Sequence, residues 1–142
     1  MRLGWEDEIP SVGWGDLHAL GFDEAGLKPH PAHALLALAR ALGLSLSEAG
    51  AWTQQVLAAA RPARLWPQGA LYLAVVEDTS PGVRAVQAAR EQLEAVYAEP
   101  VSVHTLGLTR SPVKTHALAQ TGARVLTHWA QVARALQAWG CP

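Results

Sequence analysis

The stretch LYLAVVEDTSPGVRAV, Leu71 to Val86, decides how the chain is read. With Ala70 ahead of it, ALYLAVV is a short apolar run without alternation. That pattern belongs to a strand covered on both faces, as in a parallel sheet. The run ends in two carboxylates, Glu77 and Asp78, followed by Thr79, Ser80, Pro81 and Gly82. Val83, Val86, Ala89, Leu93 and Val96 then recur at helical spacing. Ser80 is expected to cap that helix and Pro81 to occupy its first position, where a missing N–H costs nothing.

Downstream the alternation continues. VSVHTLG reads as a second strand, SPVKTHALAQTG as a short helix ending at Gly122, and ARVLTH as a third strand. Trp129, Val132, Leu136 and Trp139 mark a last helix. Strands alternating with helices predict an α/β fold with parallel pairing. Upstream, Leu35, Leu36, Leu38, Ala39 and Leu42 form an apolar helix face, with Pro31 in the first turn and Gly43 as its stop. Ser45 or Ser47 can cap a further helix through about Ala60, after which RPARLWPQG breaks the chain. Residues 1–27 mix Gly, acids and Trp without a period, so they read as loop with one short element. The expectation is one domain over residues 1–142 with an atypical segment at 1–27.

The totals narrow the function classes. A chain of 142 residues can bury a real core. A formal charge of −1 and no Lys/Arg stripe give no footprint for nucleic acid. No apolar run is long enough to span a bilayer, and the first residues do not form a signal peptide. The single cysteine, Cys141, predicts no internal disulfide and a reducing cytoplasm. Absence of Asn with heavy use of Ala, Leu, Arg and Pro fits a thermophile, although a GC-rich genome leaves much the same bias.

In an open α/β sheet, ligands gather at the carboxyl ends of the strands, where Asp78 falls. Beside it, the first N–H groups of the next helix are unpaired and carry the positive end of its dipole. An acid next to an anion-binding turn suits Mg²⁺ bridging the protein to a phosphate group, since Mg²⁺ takes one or two carboxylates plus water and substrate oxygens. The plainer alternative is that Asp78, Thr79 and Ser80 only cap a helix, which is far commoner. A response-regulator receiver domain also runs a strand into adjacent acids. It needs a later aspartate as phosphate acceptor, and no Asp follows Asp78.

A second family fits better. LYLAVVEDTSPGVRAVQAA resembles the fourth motif of the haloacid dehalogenase superfamily, a strand ending in an acid pair ahead of a helix. FDEAGLKPHPAHALLALARALGL resembles the third, a lysine in K-P-x-P leading into an apolar helix. GLTRSPVKTHALAQTGARVLTHWAQVARAL resembles the tail, a last strand and helix after a G-A pair. The likeness runs from about Phe22 to Leu136, and its order within an α/β pattern is more specific than any single motif. It implies a three-layer, Rossmann-like domain with a mainly parallel sheet and an altered N-terminal part. Lys28 would be the catalytic cation, neutralising charge on a transferred phosphoryl group. Asp78 with Glu77 would hold Mg²⁺, and Thr79, Ser80 and Gly82 would receive the phosphate of a small phosphorylated molecule.

The sequence departs from that family at its start. The nucleophilic D-x-D at the end of a first strand is absent, and the remaining aspartates are Asp7, Asp16 and Asp23. Ser11 is the one candidate for the second motif. A catalytically degenerate member with a Mg²⁺ and phosphate rim is therefore the expectation. Two alternatives stay open. One is an active Mg²⁺-dependent phosphatase whose nucleophile comes from an unrecognised N-terminal acid or another chain. The other is a structural or interaction protein.

Six histidines raise a metal question. His30 and His33 would share a helix face, and His104, His116 and His128 fall in neighbouring elements, with His128 on the same rim as Asp78. Ordinary surface or half-buried histidine is the simplest reading for all six. Trp129 and Trp139 are expected in the core. Trp5, Trp14, Trp52 and Trp66 lie near irregular segments and suggest a contact surface, with a homodimer through the N-terminal segment as the partner.

Overall fold

The computed structural model describes residues 12–23, 27–60, 70–97 and 99–140. Asp7, Ser11, Trp5, Trp66 and Cys141 lie outside the described residues. Helices α1 (Trp14–Ala19), α2 (Ala32–Ala41) and α3 (Leu46–Leu57) precede the strand β1 (Leu71–Glu77). Then come α4 (Ser80–Val96), β2 (Val101–Leu108), α5 (Pro112–Ala119), β3 (Arg124–Leu126) and α6 (Trp129–Ala138).

The three strands form one open parallel sheet in the order β1-β2-β3. Leu71 pairs with Val101 and Glu77 with Gly107, and Leu106 pairs in turn with Arg124. This register places the carboxyl ends of all three strands on one rim. It is an α/β layout compatible with a Rossmann-like arrangement.

Alternation along the strands explains the packing, because successive side chains point to opposite faces. On β3, Val125 packs with Val83 of α4 and Leu118 of α5, whereas Leu126 packs with Val132 and Ala135 of α6. Helices thus cover both faces of β2 and β3. The largest core lies on the α4 side, where Leu35, Leu36 and Ala39 of α2 and Trp52 and Val56 of α3 meet Leu93.

Coverage of β1 is one-sided, against the expectation from its unbroken apolar run. Val76 reaches the α6 cluster, but Ala74 is exposed and Tyr72 is 73% exposed. With its ten residues, α6 lies against β2 and β3. It leaves the start of β1 uncovered on that face.

Two further expectations are corrected. Thr79, not Ser80, caps α4: its Oγ1 accepts from the Gly82 N–H at 3.3 Å, and Ser80 is already the first helical residue. The tryptophans also exchange places. Trp129 stands at the first position of α6 and is 69% exposed, because the inward face of that helix begins only at Val132. Trp52 belongs to the buried stripe of α3, is 3% exposed and donates its indole N–H to Tyr97 Oη at 3.2 Å. Trp139 does pack on the core, stacked on His104 with ring centroids 4.3 Å apart.

Candidate functional site

Each carboxyl end of the sheet delivers polar groups to the same rim. β1 ends in Glu77 and runs into Asp78 and Thr79. β2 runs into Thr109, Arg110 and Ser111, and β3 into Thr127 and His128. Lys28, from the loop ahead of α2, and Lys114, from the first turn of α5, complete the group.

Glu77 and Asp78 are adjacent in sequence and take different partners. Lys28 Nζ donates to Glu77 Oε1 at 2.7 Å, joining segments 49 residues apart. Lys114 Nζ donates to Asp78 Oδ2 at 2.6 Å. The first pair is the more sheltered, since the Glu77 side chain is only 16% exposed. Its carboxylate rests against Gly82, where a Cβ would overlap it. Gly82 is therefore the residue that makes room for Glu77. The Asp78 side chain is 62% exposed. The hydrogen bond from Lys114 holds its carboxyl below the usual carboxylate range; burial opposes it, and the Lys114 charge, the backbone hydrogen bond and, most weakly, the Lys28 charge add to the lowering.

Of the residues expected to receive phosphate, Thr79 and Gly82 satisfy one another through the cap, which leaves Ser80 in the first turn of α4. The α4 N-terminus still contributes the positive end of its dipole next to both acids.

Lys114 and Arg110 were not singled out in the sequence. Arg110 donates from Nη2 to His128 Nδ1 at 3.0 Å and from Nε to the Thr127 carbonyl at 3.4 Å, tying the ends of β2 and β3. His128 does line the rim. Ser111 caps α5 by accepting the Lys114 N–H, and that fixes the turn from which Lys114 reaches Asp78. A signal existed: S-P-x-K after a strand repeats the way T-S-P-G follows β1. In a parallel sheet, neighbouring strands bring such turns together.

The other histidines do not converge. His30 Nδ1 accepts from the Ala32 N–H, His33 Nε2 donates to the Val12 carbonyl, and His116 pairs with Gln120. Among the described residues no three His, Cys, Asp or Glu side chains come together as a metal site. Asp78 is the more exposed of the two adjacent acids, and Lys114 occupies its Oδ2.

Asp16 is engaged as a cap, accepting the Gly13 N–H at 2.8 Å at the start of α1. No described strand precedes Lys28 to present a nucleophile. Compared with protein-family models, curated proteins and solved structures, the chain matches none. Among the described residues, no helix is long and apolar enough to cross a membrane.

Proposed function

We propose that the chain is a haloacid dehalogenase-like, three-layer domain that binds a small phosphorylated molecule with Mg²⁺ at its strand rim and has lost covalent phosphoryl transfer. The contact between Lys28 and Glu77 carries this reading. It joins the lysine of one motif to the acid pair of another, over 49 residues that local structure does not bridge. Lys28 and Lys114 supply ammonium groups for phosphoryl oxygens, and Ser80 adds a hydroxyl at the helix start. Asp78 is the residue that would hold Mg²⁺, which neutralises phosphate charge when bound. The loss of transfer rests on the missing D-x-D and on the use of Asp16 as a helix cap.

Calorimetric titration of inorganic phosphate in MgCl₂, beside hydrolysis of p-nitrophenyl phosphate, tests this. Saturable phosphate binding that weakens about tenfold in Lys28→Ala and in Asp78→Ala, without turnover, is expected. Absence of phosphate binding overturns the rim. Turnover abolished by Asp78→Ala overturns the loss of catalysis and identifies a working phosphatase.

A further inference from the structure

A groove of about 560 Å³ runs along the side of β1 away from β2, within the size range of small-molecule sites. Ala37 and Leu38 of α2, Val75 of β1, and Ala85 and Ala89 of α4 form much of its lining. The space exists because so many of these side chains are short. Its charged and imidazole groups are few. Lys28, His33 and Glu77 also line it, and Glu77 touches both Lys28 and Gly82, so this end opens onto the rim. Arg90, the remaining cation of the lining, lies two helical turns further along α4 and is paired with Glu94 at 2.9 Å.

The trough begins at Lys28, whose ammonium is paired with Glu77 but 34% exposed, so its remaining donors can meet the head group of an anionic amphiphile. We propose that the groove receives the organic part of a phosphate monoester, an extended aliphatic group whose phosphate sits at Lys28. This rests on the phosphate-binding reading of the rim and adds the substrate class to it. The small side chains accept an unbranched chain along α2 and α4. Neutral amphiphiles would gain the same apolar contacts without the charge at Lys28, and bare phosphate would gain the charge without the contacts.

Calorimetry with methyl, butyl and octyl phosphate, below their micelle concentrations, separates these contributions, with inorganic phosphate and octanol as references. Affinity is expected to rise about fourfold per methylene buried against the groove wall, and so on the order of a hundredfold from methyl to octyl if roughly half of the added methylenes find that wall. In Ala37→Trp, an exposed position where indole fills the trough, the octyl-to-methyl ratio should collapse towards one with the circular dichroism unchanged. Equal affinities for methyl and octyl phosphate overturn the groove while leaving the rim intact, as they would if a polypeptide strand occupied the β1 edge. An octyl gain that survives Ala37→Trp, or octanol binding as tightly as octyl phosphate, also overturns it. Failure of every phosphate, inorganic included, overturns the rim reading and this one with it.

Discussion

Lys28 Nζ and Glu77 Oε1 lie 2.7 Å apart although 49 residues separate them. The side chains are 34% and 16% exposed, so water screens the pair only in part. Fixing the loop ahead of α2 to the end of β1 is its structural effect.

A double-mutant cycle with Lys28→Ala and Glu77→Ala should return a coupling of about 0.5–1 kcal/mol in denaturant unfolding, weakening with added salt. A coupling of zero would mean that the loop is held by other contacts.

Gly82 extends this relationship. Its missing Cβ is what lets the Glu77 carboxylate lie against the first turn of α4. Gly82→Ala gains helix propensity of up to about 1 kcal/mol but forces the carboxylate aside. Glu77 is flexible, so the net stability change should be small. The informative quantity is the cycle: in the Gly82→Ala background, the Lys28–Glu77 coupling should vanish. If it persists, the carboxylate has another seat within reach of Lys28.

Asp78 predicts a pH dependence. Its folded pKa is depressed, chiefly by the Lys114 hydrogen bond, so its contribution is present above the unfolded value, about pH 4. It is lost as pH falls through the folded value. Wild type should therefore exceed Lys114→Ala by a constant small margin at neutral pH, and the two should converge below about pH 4. Carboxyl NMR titration gives the direct check: the Asp78 midpoint should rise when Lys114 is removed.

Much of the frame was legible because it depends on local signals. Apolar runs ending in turn residues marked β1 and β2, and Gly43 and Gly122, both at positive φ, fall just past α2 and α5 as expected. Lys28 could be paired with the acids only through the resemblance between motifs, since no periodicity relates positions so far apart. Lys114 and Arg110 depend on strand order, which sequence patterns do not reveal. The Thr79–Ser80 exchange is a one-residue shift between two hydroxyls, either of which can cap. Trp129 and Trp52 differ for a related reason: an apolar stripe is buried only where a neighbour covers it, and among the described residues Trp129 in the first turn of α6 stays exposed while Trp52 lies on the covered face of α3.

The core carries an avoidable cost at Thr53 of α3. Its side chain is fully buried and, among the described residues, its Oγ1 has no hydrogen-bond partner, so the hydroxyl is desolvated without compensation. Thr53→Val keeps the shape and removes the polar atom. It should stabilise the protein by about 1 kcal/mol, offset in part if valine shifts the packing. Chemical denaturation of the two proteins decides it, and destabilisation would show that the hydroxyl is satisfied in solution, for example by water.

Lys114 and Mg²⁺ should compete for Asp78. The ammonium sits 2.6 Å from Oδ2, so its charge opposes a second cation at the same carboxylate. A lysine this exposed can swing away at little cost, because an exposed ion pair contributes about 0–1 kcal/mol. Lys114→Ala should therefore tighten Mg²⁺ binding severalfold, as read by calorimetry without phosphate, while weakening phosphate binding through loss of a cation. Opposite signs for the two ligands are the mark of a lysine shared between carboxylate and phosphate. If Lys114→Ala leaves both affinities unchanged, the Lys114–Asp78 pair only joins α5 to the end of β1, and Asp78 has no part in holding a metal.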